Sequence, residues 1–182
     1  MKNENLKALF FNEKIQSVLQ SARQFCDLID AARADKYGQE DFIDLLHIRL
    51  VDLYNFSLHI PKIGEFVKYK SEERKEVKAP DRALYEKLTQ ILGAYTDYSK
   101  SFDPIIIESD DNYSQGWLVD DIADIYKDLN EVLELLDKNT DESVQEGLWT
   151  LRFVFGAHWG THTINAIRFL HFVRYEKWYR HC

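Results

Sequence analysis

The residues best suited to chemistry concentrate in the C-terminal third. His158 and His162 stand four apart, a spacing at which two imidazoles on one helix can chelate an ion. Asp121, Asp124 and Asp128 stand at i, i+3 and i+7, so their carboxylates share one side of a helix. Asn165 and Arg168 follow His162 within two turns and add an amide and a cation. Two chemistries fit these seven residues. In the first, the nitrogen-bearing side chains form an inward polar layer matched by the aspartates, because an unpaired buried polar group costs about 1–3 kcal/mol. In the second, the histidine pair and the acids hold Zn²⁺ or Mn²⁺ in a bundle core. The polar layer is the preferred reading, since the chain has no H-E-x-x-H, no E-x-x-H pair and no cysteine ligand cluster. No cofactor is therefore expected, with Zn²⁺ or Mn²⁺ as the alternative.

Other catalytic signatures are missing. There is no G-x-S-x-G elbow for a serine hydrolase, and no G-x-x-x-x-G-K-[ST] or G-x-G-x-x-G to cradle phosphate. Gly156 and Gly160 have the spacing of a close helix crossing, which outside a membrane predicts room for Trp149 or another bulky neighbour. Tyr175, Trp178 and Tyr179 alternate with Arg174, Lys177 and Arg180. This tail is expected to cap the bundle with rings inward and bases outward; the alternative is a contact surface.

Helices must position these groups. Leu6, Leu9, Phe10, Ile15, Val18, Leu19, Ala22, Phe25, Cys26 and Ile29 recur mostly at three and four, which predicts one helix over about 5–34. Asp35 to Gly38 breaks it, with Gly38 available for a positive-φ turn. Phe42, Ile43, Leu46, Leu50, Leu53, Tyr54 and Leu58 mark a second helix over about 40–59, stopped by Pro61. Residues 62–79 read as a charged, solvated loop. Pro80 or Asp81 opens a third helix with Leu84, Leu88, Ile91 and Leu92, and Gly93 ends or weakens it. Residues 99–113 form a long connection in which Ile105 to Ile107 lie extended across the helices. From Ser114 as N-cap, Leu118, Ile122, Ile125, Leu129, Val132, Leu133 and Leu136 form a fourth helix to about Lys138. Thr140 or Asp141 opens the last region, which reaches about Tyr175 and is bent or split near Gly156 and Gly160. No strand alternation, βαβ rhythm or repeat appears. The fold class is all-α: a single-domain bundle of five to six helices over residues 1–182.

If the last region is one continuous α-helix, His158, His162 and Asn165 fall on the stripe of Leu151, Phe155 and Phe169, and His171 falls nearly opposite. The aspartates sit about 80° from the centre of their own helix's stripe. Residues 108–142 hold twelve acids against two lysines, whereas residues 152–182 hold five bases against one acid. Consecutive helices usually pack together. At least one contact is therefore expected between Asp121, Asp124 or Asp128 and His162, Asn165 or Arg168.

Composition bounds the class. The chain has 182 residues, 45% of them hydrophobic and 14% aromatic, with net charge −8. Acidity, and the lack of a basic tract with interleaved aromatics, argue against nucleic acid as partner. No apolar run approaches the roughly 18–20 residues of a membrane helix, so no membrane is expected. The charged start predicts no secretory signal, and two cysteines, Cys26 and Cys182, suit free thiols in a reducing cytoplasm. Cys26 lies on an apolar stripe as a small core residue.

Two segments carry a family resemblance: Asp120 to Leu129, and Trp159-Gly160-Thr161-His162 followed by Asn165 to His171. Both resemble the DUF5063 family, an uncharacterised bacterial family of helical domains of unknown function. Ile167 and Phe169 replace the family's leucine and alanine, and His158 stands where the family often has tyrosine, so no shared role carries over to it. The resemblance implies bacterial origin and an all-helical fold, and it implies no reaction. Together these features predict a cytoplasmic, non-enzymatic interaction or regulatory module with a protein partner, a basic one by charge. The alternative is a metal- or small-ligand-binding enzyme built on the Asp/His/Asn cluster. The two are separated by whether the cluster is packed shut or forms a solvent-connected cavity lined by Asp124, His162 and Arg168.

Overall fold

The computed structural model describes residues 4–61, 81–101 and 113–180, excepting the side chains of residues 100, 101, 113, 114 and 176–180. Its helices are α1 (Glu4–Phe10), α2 (Glu13–Arg33), α3 (Gln39–Ser57), α4 (Arg82–Leu92), α5 (Leu118–Asp137), α6 (Asp141–Val154) and α7 (Gly160–Arg180). A π-helical turn, Phe155–Trp159, joins α6 to α7 in one rod. The bundle class expected from the periodicity is the one found. No described helix is long and apolar enough to cross a membrane.

Local chemistry sets the boundaries. The first apolar stripe is divided between two helices because the Asn12 side chain accepts from the Lys14 N–H at 3.0 Å and starts α2 afresh. Asp81 caps α4 through the Leu84 N–H at 3.1 Å. Thr140 and Ser143 exchange side-chain to backbone bonds, each 3.1 Å, at the start of α6. Gly38 is not the left-handed residue of its turn: its φ is −76°, and Asp35 takes φ +58° at the end of α2. Gly93 ends α4 at φ +58°.

Helix α5 lies at the centre of the bundle, packed against α2, α4, α6 and α7, while α3 packs on α2 and α7. Ile122, Ile125, Leu129 and Val132 meet Phe25, Phe42, Leu50 and Trp159 in one core. Cys26 is buried within it as a free thiol, and desolvation pushes its pKa up to about 12.

The expectation of no strands is corrected. Asp97–Ser101 (β1) and Tyr113–Trp117 (β2) pair antiparallel, with Tyr98 opposite Gly116. These segments are too polar to show hydrophobic alternation. Their pairing is reinforced where the Tyr98 ring lies across the glycine, since a Cβ at 116 would come within 2.4 Å of that ring. Ser114 therefore lies in β2 and does not cap α5, which begins at Leu118 with its N–H bonded to the Thr96 carbonyl at 2.7 Å. The charged loop at 62–79, the Ile105 to Ile107 run, Cys182 and the side chains of Lys177 to Arg180 lie outside the described residues.

Candidate functional site

The acids come from α5. Its first turn carries Asp120 and Asp121 at the positive end of the helix dipole, with Asp124 and Asp128 one and two turns on. Asp121 is the most enclosed, its side chain only 3% exposed. It accepts from the Tyr98 hydroxyl and from His162 Nδ1, the latter at 2.6 Å. Asp128 accepts from His158 Nδ1 at 2.7 Å. Asp120 accepts from the Tyr85 hydroxyl at 2.8 Å.

The imidazoles come from the π-turn and the first turn of α7, and their rings meet edge to face with centroids 4.8 Å apart. Each has its Nδ1 held by a separate aspartate, which keeps the proton on that nitrogen. Each turns its Nε2 toward a third one: Asp124 Oδ2 is 3.6 Å from His162 Nε2 and 3.7 Å from His158 Nε2. These two distances exceed a hydrogen bond. Asp124, His158 and His162 each place one ligand atom within 4.8 Å of the other two. Tetrahedral zinc, with bonds of about 2.0–2.1 Å, separates its ligands by roughly 3.3 Å. Small side-chain rotations would close the gap.

The site is open. The side chains of His158, Asp124 and His162 are 45%, 25% and 20% exposed. The His162 pKa is raised, chiefly by the hydrogen bond to Asp121 and against the opposing effect of burial. The Asp128 pKa is also raised, because desolvation outweighs its bond to His158. Burial and the bond to Asp121 raise the Tyr98 pKa. Tyr98 also stacks on Phe169 of α7, 5.0 Å between centroids, which ties the strand pair to the site.

The remaining expected members do not join. Asn165 is half-buried one turn beyond His162, and Arg168 is exposed; among the described residues neither bonds to the aspartates. The Arg168 charge acts on the Tyr98 phenol, where it works against the rise in pKa. The expected inward stripe is corrected too. Trp159, Thr163, Ala166 and Leu170 face the core, and His158 and His162 border it. The π-turn adds a residue and rotates everything after it by about 100°. Gly160 makes room for Phe155, whose carbonyl oxygen would lie 2.3 Å from an added Cβ, and not for Trp149, which stacks on Phe153. Among the described residues, no arginine or lysine of α7 pairs with an acid of α5: Arg174 pairs with Asp44 of α3 at 2.6 Å and bonds His47 Nδ1 at 3.1 Å. His171 lies on that same side, with its ring 6.2 Å from His47.

Sequence reasoning missed Tyr98, Tyr85 and Asp120. Nothing in the spacing ties residues 85 and 98 to a helix beginning at 118. A signal for the π-turn was present, because Trp159, a bulky apolar side chain, falls off the straight-helix stripe.

No functionally curated protein matches the sequence. Among solved structures, the crystal structure of protein BF1032 from Bacteroides fragilis, Northeast Structural Genomics Consortium target BfR309, is similar to this chain at 23% identity. The likeness covers 92% of this chain and 96% of that one with a TM-score of 0.72, and at that identity it shows the shared fold. Residues 10–176 match the family described as "Domain of unknown function (DUF5063)", a span from the end of α1 through most of α7. The chain belongs to the DUF5063 family.

Proposed function

We propose that this protein binds a divalent transition-metal ion through Asp124, His158 and His162, and that the ion serves as a Lewis acid for an enzymatic reaction. One observation carries the reading: both imidazoles are oriented from behind by carboxylates and aim their free nitrogens at one oxygen of Asp124. Carboxylate–histidine–metal relays of this kind fix the tautomer and strengthen the nitrogen donor. Three protein ligands leave a fourth position for water or substrate, as in catalytic zinc sites, and the exposure of His158 gives that position access to solvent. A bound ion would lower the pKa of a coordinated water and polarise a substrate carbonyl. Asp120, Asp121, Asp124 and Asp128 leave the patch net negative even around a dication, which favours neutral or cationic substrates over phosphate esters.

The non-catalytic interaction module, with a basic partner docked on the acidic helix, has weaker support. Asp120, Asp121, Asp128 and Asp137 are engaged within the fold by Tyr85, Tyr98, the two imidazoles and Arg23. The bacterial, cytoplasmic setting belongs to the same proposal, and the free thiol of Cys26 fits its reducing compartment. Metal content of untagged protein after equilibration with Zn²⁺ or Mn²⁺ tests the reading. About one equivalent is expected, lost in His162→Ala; less than about a tenth of an equivalent overturns it.

A further inference from the structure

Helical geometry makes the phase between α6 and α7 calculable. Trp159 is eight residues beyond Leu151, and in a straight α-helix its side chain would point about 80° away from that of Leu151. With one residue taken out of the count the difference falls to about 20°. Leu151 and Trp159 are both fully buried, and Thr163, Ala166 and Leu170 continue the same face. The π-turn at Phe155–Trp159 absorbs that one residue. It brings Trp159 into the core and moves His158 and His162 to the border, against the acids of α5.

The widened turn needs a particular residue at its end. A Cβ at position 160 would lie 2.3 Å from the Phe155 carbonyl oxygen and 3.1 Å from two atoms of its ring. That ring packs on Trp159 at 4.8 Å and on Tyr54 at 5.7 Å, so it cannot yield freely. At Gly156 an added Cβ would meet nothing within 4 Å. The two glycines of one turn thus differ: only Gly160 is required by close approach.

We infer that Gly160, by admitting the π-turn, is a positioning residue that delivers His158 and His162 to Asp128, Asp121 and Asp124. Its effect on metal affinity rests on the metal-binding reading above; its effect on side-chain placement does not. Three variants of the full chain test it: Gly160→Ala, Gly156→Ala, and Gly160→Ala combined with deletion of the exposed Ala157. The deletion removes the extra residue, so the turn closes to an ordinary α-turn that tolerates alanine at 160 while Leu151 and Trp159 stay in phase. Zn²⁺ affinity is one readout. The other, on metal-free protein, is the Trp159 indole N–H resonance, assigned with Trp159→Phe.

Gly160→Ala is expected to weaken Zn²⁺ binding at least about tenfold, the range of other supporting-residue losses at metal sites, and to shift the indole signal. Gly156→Ala should change neither, and the deletion should restore both. Wild-type affinity and an unshifted indole in Gly160→Ala overturn the inference, as does a deletion variant that restores neither. Should Gly160→Ala not fold, the deletion variant decides: a folded protein with the wild-type indole signal supports the inference, and failure to fold overturns it. If wild type binds no Zn²⁺ while the indole follows the expected pattern, the metal reading fails and the positioning role stands.

Discussion

Replacing Asp121 by alanine removes the acceptor on which the site is built. The carboxylate is nearly enclosed and receives bonds from His162 Nδ1 and the Tyr98 hydroxyl. Hydrogen bonds to a charged group contribute about 1.5–3 kcal/mol each, so the two lost bonds amount to about 3–6 kcal/mol. Partial solvation of His162 and the relieved cost of burying the carboxylate reduce this to a net loss of about 2–4 kcal/mol. For a chain of this size about 3 kcal/mol corresponds to a fall in Tm of roughly 6–12 °C. Asp121→Asn keeps an oxygen for one donor but turns an amide N–H₂ toward the other, and should lose about half as much. The pH dependence has a definite sign. The folded pKa of His162 is raised, so its pairing with Asp121 stabilises fully below the unfolded pKa of about 6.5 and fades as pH rises through the folded value. The alanine variant should therefore fall further behind wild type at pH 6 than at pH 9. Urea denaturation with an unchanged m-value measures both effects. A deficit under about 0.5 kcal/mol, the size of an ordinary surface substitution, refutes the reasoning.

Further outcomes follow from the same geometry. Because Asp121 holds a proton more tightly on His162, Zn²⁺ must displace that proton at low pH, so affinity should fall about tenfold per pH unit below the raised pKa; affinity flat from pH 5.5 to 8 would contradict this. Gly116→Ala drives a Cβ into the Tyr98 ring and should cost about 1–3 kcal/mol while disturbing the ring's contacts with Phe169 and Asp121; an unchanged melting curve counts against the role given to Tyr98. Cys26, buried with its pKa near 12, should react with a thiol reagent only as fast as the core opens; rapid labelling under native conditions would show the core packed differently.

How far the fold could be read in advance varies with the kind of signal. Where a helix has one apolar face, as with Leu84, Leu88 and Leu92 of α4 or Ile122, Ile125 and Leu129 of α5, spacing alone places it, because burial follows the 3.6-residue period. Asp81 and Thr140 were each one of two residues expected to open their helices, and they are the caps because short polar side chains satisfy the first N–H groups there. Ser114 misled by the same logic, since a strand pair reached the position first. A contact between an aspartate of α5 and His162 was legible from the i, i+3, i+7 spacing and the opposite charge of the two regions, whereas the bond of Asp128 to His158 was not. The partners within each pair were not legible either, because they depend on the phase of α7. That phase is set by a single inserted residue, and a helical wheel cannot include an irregularity that arises from close approach of Gly160 to Phe155. Tyr98 was invisible for a different reason: its reach to Asp121 crosses from the strand pair to α5, and such a contact leaves no periodic mark on sequence.

Anomalous diffraction at the zinc edge, from crystals of the untagged chain equilibrated with Zn²⁺, tests the metal-binding claim most directly. One peak is expected at about 2.0–2.1 Å from His158 Nε2, His162 Nε2 and an oxygen of Asp124, with both Nδ1–aspartate bonds retained. Ordered imidazoles with no peak between them, or zinc bound only at other residues, would contradict it.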